Sequence, residues 1–257
     1  MSYCNIFDTH AHYDDERFDT DRDELLSSLH ENGVSGIINC GCDAGSSLFS
    51  RDLSEKYDFV YFAAGIHPQE VDGYKPEDLR LTEALTEHEK CVAVGEIGLD
   101  YHYGAESAGR QRELFEAQVR FAAEKGIPVI VHDREAHADT LDILKKYRPG
   151  GVMHCYSGSV EMAEEIMKLG MYIGIGGSVT FRNARRPVEV AAVLPEDRLL
   201  LETDCPYMSP VPFRGKRCSS DLIAYTAEKI AEIRGTDAQH IIDAACENAK
   251  ALFNISK

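Results

Sequence analysis

Six side chains of metal-ligand type are spread along this chain: His10, His12, Glu96, His132, His154 and Asp204. Imidazole nitrogen suits zinc, nickel and iron, while carboxylate oxygen also admits magnesium and manganese. Residues two apart on a strand point to the same side, so His10 and His12 can chelate one ion from a single segment. Each member has a plainer reading when taken alone. His-x-His pairs arise freely in loops, and His132 and His154 would pass as satisfied core histidines. Glu96 would pass as a helix anchor or a solvated loop acid, and Asp204 as a turn residue ahead of Pro206. Together they are too many ligands for one catalytic ion with an open position. Two divalent ions (magnesium, manganese or zinc) that share one carboxylate would use all six.

What must position them is a repeated alternation of short apolar runs and helical patterns. Cys4-Asn5-Ile6-Phe7 is followed by Thr20-Asp21-Arg22-Asp23, a capping-box-like start, then by Leu25, Leu26 and Leu29 and a stop at Gly33. Further runs are Gly36–Cys40, Phe59–Ala63, Cys91–Val94, Pro128–Val131, Gly151–Met153, Met171–Ile175 and Arg198–Leu201. The spacing predicts a helix near 110–125, ended by Gly126, and a final helix near 237–253 packed outside. Eight runs, each separated by room for a helix, predict a parallel sheet, because parallel neighbours need a long crossover. Eight such units close naturally into a single (β/α)8 barrel. An open doubly wound sheet is the rival, but no Gly-rich phosphate fingerprint supports it.

The ends of the runs carry the ligand-type residues. Asp8-Thr9-His10-Ala11-His12 ends the first, Gly65-Ile66-His67-Pro68 the third and Gly95-Glu96-Ile97-Gly98 the fourth. His132-Asp133-Arg134, His154-Cys155-Tyr156 and Glu202-Thr203-Asp204-Cys205-Pro206 end the fifth, sixth and eighth. In a barrel these ends share one rim, the face where catalysis is found. Glu96 is the only carboxylate on that rim between the two groups of histidines, which makes it the expected bridge. Asp204, at the end of the eighth run, is expected to be a ligand that also orients the attacking water.

Bulk properties agree with such a protein. A chain of 257 residues fits one barrel domain over 1–257, and 44% hydrophobic residues suffice for a sizeable core. Eight cysteines without CxxC spacing fit free thiols in a reducing compartment. The N-terminus shows no basic segment leading into an apolar one, and no apolar stretch reaches membrane length. A cytoplasmic protein without membrane association or an evident stable protein partner is therefore expected. The net charge of −17, from 44 acidic and 27 basic residues, argues against a non-specific nucleic-acid coat. It leaves room for a site that grips a few phosphates locally, since metal ions supply positive charge there.

With these residues placed, the chain resembles the TatD family of metal-dependent deoxyribonucleases, within the amidohydrolase-like barrels. The resemblance rests on Asp8–His12, Gly65–Pro68, Val94–Tyr101, Pro128–Arg134, His154–Gly158, Glu202–Tyr207 and Arg214–Arg217, in order across nearly the whole chain. It implies a (β/α)8 barrel, a divalent-metal site and hydrolysis of DNA phosphodiester bonds, commonly as a 3′ to 5′ exonuclease. It further implies that His10, His12 and Asp204 bind one metal, that His132 and His154 bind the other, and that Glu96 is shared. His67 and Asp100 fall in family motifs near the site, with supporting or substrate roles. After Arg217 the family often continues with Asn, an acid and Pro, whereas this chain has Cys218-Ser219-Ser220. Substrate details therefore carry over less directly than the metal site.

The expected chemistry is attack on a phosphodiester by a metal-activated water, with Asp204 orienting that water or taking its proton. Arg214, Lys216 and Arg217 are candidates for holding a flanking phosphate, against the plainer reading of a solvated basic loop. Arg182, Arg185 and Arg186 form a second cluster after the seventh run. Cys155 and Cys205 adjoin proposed ligands but have no visible activating base, and no Gly-x-Ser-x-Gly elbow supports a serine nucleophile. The main rival function is an ester or amide hydrolase on the same metal site, such as an aminoacyl-tRNA deacylase, because barrels change chemistry through their loops.

Overall fold

The computed structural model describes residues 3–255. Among them, eight strands form one sheet whose spatial order is the chain order, β1 to β8. They are β1 (Ile6–Ala11), β2 (Val34–Cys40), β3 (Val60–Ala64), β4 (Cys91–Asp100), β5 (Val129–Arg134), β6 (Gly151–Met153), β7 (Tyr172–Ile175) and β8 (Leu199–Leu201). The helices between them are α1 (Arg22–Glu31), α2 (Ala44–Lys56), α3 (Pro76–Leu85), the short α4 (Tyr101–Gly104), α5 (Ala108–Lys125), α6 (His137–Tyr147), α7 (Val160–Lys168) and α8 (Arg185–Val193). Two more, α9 (Ile223–Arg234) and α10 (Ala238–Leu252), follow β8. This is the expected (β/α)8 barrel, with α10 as an added C-terminal helix.

Packing groups the chain into two compact units. One holds residues up to 39, 155–164 and from 173 onward, and so carries β1, most of β2, β7 and β8. In it β1 pairs in parallel with β2, and β7 with β8. At its last residue β1 also pairs, through a parallel bridge, with Cys205 after β8. All six residues of β1 are buried, as expected of a parallel strand covered on both faces. Helix α10 packs on β8, β1 and α9. Its buried Ala238, Ile241, Ile242, Ala245, Cys246 and Ala249 recur at helical spacing, and Asp237 caps its first turn by accepting from the amides of Gln239 and His240. Burial of Ile241 and Ile242 alone contributes roughly 3–6 kcal/mol.

The other unit spans residues 40–154 and 165–172. Within it β3, β4, β5 and β6 pair in parallel in succession. Helix α2 starts in a reciprocal capping box between Asp43 and Ser46. Helix α5 buries Leu114, Phe115, Val119 and Ala122 along one face and ends at Gly126, which takes the left-handed conformation (φ 70°) that stops a helix.

Two local expectations shift. The fourth run continues as a strand to Asp100, so Glu96 lies within β4 rather than beyond it. Gly98 permits this: at φ +152° any Cβ there would stand 1.9 Å from the His132 carbonyl oxygen. At the first helix Asp21 occupies the cap position without a side-chain capping bond. Its carboxylate is engaged instead by the Arg217 guanidinium, at 2.7 and 2.6 Å.

Candidate metal centre

The first group of candidate ligands is carried by β1 and by the segment after β8. Alternation along β1 puts Asp8 and His10 on one side, and His12 follows in the same phase. His10 is fully buried and His12 nearly so, and their Nε2 atoms lie 3.0 Å apart. Asp204 Oδ1 is 3.5 Å from His12 Nε2 and 3.9 Å from His10 Nε2. Asp204 holds a left-handed backbone (φ 63°), uncommon for a residue with a side chain and worth of order 1–2 kcal/mol of strain. Its amide donates to the His10 carbonyl at 2.9 Å, and the His12 amide donates to the Cys205 carbonyl at 2.8 Å. The strain is thus held by the backbone of the two histidines it faces.

Asp8 organises the floor of this group, a role the sequence reading did not assign. It is fully buried and accepts from Thr203 N (3.0 Å), Thr203 Oγ1 (2.6 Å), Ser220 Oγ (2.7 Å) and His10 N (3.3 Å). Burial pushes its carboxyl up to about 7, against those hydrogen bonds, which favour the charged form. Ser220 also meets the Tyr13 hydroxyl at 2.8 Å. The Cys218-Ser219-Ser220 segment that departs from the family pattern therefore ends in the support of β1. The Cys205 thiol is raised well above its usual value by burial, which argues against a thiolate nucleophile at that position.

The second group gathers on Glu96. Its Oε1 lies 2.9 Å from His132 Nδ1, 3.2 Å from His154 Nε2 and 3.6 Å from His67 Nε2. Glu96 is 3% exposed, so three imidazoles converge on one buried carboxylate oxygen. On its other side His132 Nε2 faces Asp100 Oδ2 at 3.3 Å. Asp100 in turn accepts from Gln69 Nε2 and from the amides of His102 and Tyr103. Burial alone would push the Asp100 carboxyl up, but bonds to His132, Tyr103 and Gln69 hold it well below the carboxylate range. Burial would likewise lower His132, yet Asp100 and Glu96 outweigh it and lift the imidazolium to about 9. A histidine oriented from behind by a carboxylate is the usual support of a metal ligand.

Two glutamines of α5 fix this group, and no sequence motif announced them. Gln118 accepts from Ile66 N (2.8 Å) and donates to Ile66 O (3.0 Å), which sets the segment bearing His67. Gln111 makes the same pair of bonds with Asp100 N and O, at 2.8 and 3.0 Å. Both are buried and lie seven residues apart, two turns along one helix face; that spacing within an apolar stripe was the available signal. Glu202 was also passed over. It accepts the Cys155 amide beside His154, and Gly174 makes room for it: a Cβ there would stand 2.3 Å from Glu202 Oε2.

The donor chemistry of both groups fits divalent cations. Imidazole nitrogens and carboxylate oxygens are brought together in buried surroundings, with a second layer of hydrogen bonds behind them. The basic candidates are placed differently. Arg217 is paired with Asp21 through two nitrogens, while Arg214 is exposed and lies over the Phe181 ring at 3.7 Å. Lys216 is exposed near Phe213; Arg182, Arg185 and Arg186 are exposed as well, with Arg185 paired to Glu189.

Residues 7–254 match the family described as TatD related DNase. The chain belongs to that family. An uncharacterized metal-dependent hydrolase, YabD of Bacillus subtilis (strain 168), is 43% identical over 98% of this chain and 100% of its own length. The 3′-5′ ssDNA/RNA exonuclease TatD of Cronobacter sakazakii is 33% identical, covering 96% of this chain and 97% of its own. Among solved structures, YJJV, a TatD homolog from Escherichia coli K12, superposes with a TM-score of 0.92 at 34% identity over 98% of this chain and 99% of that one. The protein is thus a metal-dependent hydrolase of the TatD family with a His/Glu/Asp cluster able to bind metal. Among the described residues, no helix is long and apolar enough to cross a membrane.

Proposed function

We propose that this TatD-family protein is a two-metal nuclease that removes nucleotides from the 3′ end of single-stranded DNA. The observation that carries the reading is the convergence of His67, His132 and His154 on the single buried oxygen Glu96 Oε1. In support of a metal site there, ligand atoms of His67, Glu96 and His132 lie within 4.8 Å of one another. On this reading His10, His12 and Asp204 would hold one ion, His132 and His154 the other, and Glu96 would serve both. The ions, when bound, make a water more acidic and polarise the phosphoryl oxygen.

The remaining work falls to the chain. Asp204 has a side chain 21% exposed, against 4% for Glu96 and none for Asp100, so it is the carboxylate open to substrate. It orients the attacking water and accepts its proton at Oδ1 or Oδ2. Asp100 and Gln69 hold His132 in place, and Glu202 fixes the turn after His154. Exonuclease polarity follows the 3′-5′ ssDNA/RNA exonuclease activity by which TatD relatives are named, and DNA as substrate follows the family description.

The test is cleavage of end-labelled single-stranded DNA by metal-stripped protein, with magnesium, manganese or zinc restored, beside Asp204→Asn. Stepwise shortening from the 3′ end that requires metal and is lost in the variant is the expected outcome. No cleavage with metals demonstrably bound would overturn the nuclease reading and redirect the search to ester and amide substrates.

A further inference from the structure

Three residues past Asp204, Tyr207 is 47% exposed while Cys205 and Pro206 before it are buried. This exposed ring is held in place on several sides. Its amide donates to the Asp204 carbonyl at 2.8 Å, and its hydroxyl donates to Asp15 Oδ2 at 3.1 Å. The Arg17 guanidinium carbon lies 4.2 Å from the ring centroid. Arg17 is itself fixed, since Nε and Nη2 donate to Asp15 at 2.9 and 2.8 Å. From behind, Arg217 Nη1 donates to the Arg17 carbonyl at 2.7 Å while the same guanidinium grips Asp21. An aromatic plane is thereby fixed next to a candidate ligand, with its acidic neighbour Asp15 charge-matched by Arg17.

Bases of a single strand are unstacked and bind sequence-tolerantly on such planes, with arginine adding cation–π attraction and phosphate contacts. We infer that Tyr207, backed by Arg17, is the platform on which a base of the single-stranded substrate stacks. Arg217 is then a positioning residue for Arg17 rather than a phosphate ligand. The inference rests on the nuclease reading and names the part of the substrate that one residue recognises. A plainer role, in which Tyr207 only ties the segment after β8 to the turn at Asp15, makes different predictions.

The experiment compares wild type, Tyr207→Phe and Tyr207→Ala, fully metal-loaded, on a short single-stranded oligodeoxynucleotide and on versions with one abasic nucleotide at each position near the 3′ end. Tyr207→Ala should raise KM about tenfold on the intact strand, with kcat changed far less. One abasic position should raise the wild-type KM by a similar factor and add nothing further in Tyr207→Ala. Tyr207→Phe, which keeps the ring and loses the bond to Asp15, should stay close to wild type. Equal losses for Tyr207→Ala on intact and on every abasic strand would overturn the inference, as would a Tyr207→Phe variant as impaired as Tyr207→Ala. A wild type that cleaves no strand at all would overturn the nuclease reading itself, so the two failures are distinguishable.

Discussion

A buried carboxylate oxygen that faces three imidazoles needs a positive charge close by, since burying an unmatched anion is costly. Without metal, His132 supplies it: held by Glu96 and Asp100, it stays protonated up to about pH 9. Metal must displace that proton, because a ligating imidazole is neutral. The folded-state pKa of His132 lies above its unfolded value of 6.5, so the proton stabilises the metal-free fold fully below pH 6.5. That contribution is lost as pH rises through about 9. Metal affinity should move the opposite way, rising by up to about tenfold per pH unit between pH 6.5 and 9 and levelling off above. Calorimetric titration of manganese or zinc into metal-free protein across that range would show it. A pH-independent affinity would mean that His132 is not the group the metal deprotonates.

At the level of elements, the two ligand groups depend on neighbours that tie strand ends together. In the β1 group the tie is Ser220, which donates to Asp8 Oδ2 and meets the Tyr13 hydroxyl. Removing its hydroxyl in Ser220→Ala should cost about 1–2 kcal/mol, a drop in Tm of roughly 3–6 °C for a chain of this size. The penalty should depend on pH. The Asp8 pKa is raised from 3.8 to about 7, so its stability contribution is present below 3.8 and lost as pH rises through about 7. Above pH 7 the buried carboxylate most needs its donors, and the Tm difference between wild type and variant should be larger at pH 8 than at pH 5. Equal differences at both pH values would rule out Ser220 as a donor that matters to the ionised Asp8. Run-and-helix alternation sufficed for the barrel, and α5 and α10 fall within two residues of the expected spans, because apolar periodicity and the Gly126 stop are local signals. The extent of β4 was not legible, since Gly95, Glu96, Gly98 and Asp100 are poor strand formers: pairing with β5 holds Gly98 and Asp100, while Gly95 and Glu96 lie at a register shift where the Glu96 amide donates to the Gly41 carbonyl. Gln111 and Gln118 showed only as polar residues two turns apart within an apolar stripe; neither they nor Asp8 showed their partners, because hydrogen bonds to residues distant in sequence leave no local pattern.

For the molecule as a whole, the charge of −17 and the proposed polyanionic substrate are in apparent conflict. The basic candidates resolve it only in part: Arg217 is paired with Asp21 and Arg185 with Glu189, which leaves Arg182, Arg186, Arg214 and Lys216 exposed. Arg17 and Arg214 lie over aromatic rings instead of forming a basic stripe. Binding should then rest on metal ions, one or two phosphate contacts and stacking, which salt affects little, and not on counterion release along the strand. For single strands, log affinity falls with log salt at a slope of about −0.7 per phosphate neutralised. Two contacts predict that KM for single-stranded DNA rises only about sevenfold between 50 and 200 mM salt. Steady-state kinetics across that range, at saturating metal, measure it directly. A rise of about a thousandfold would require about seven phosphate contacts. The substrate would then be gripped along its backbone, and local, metal-centred recognition would fall.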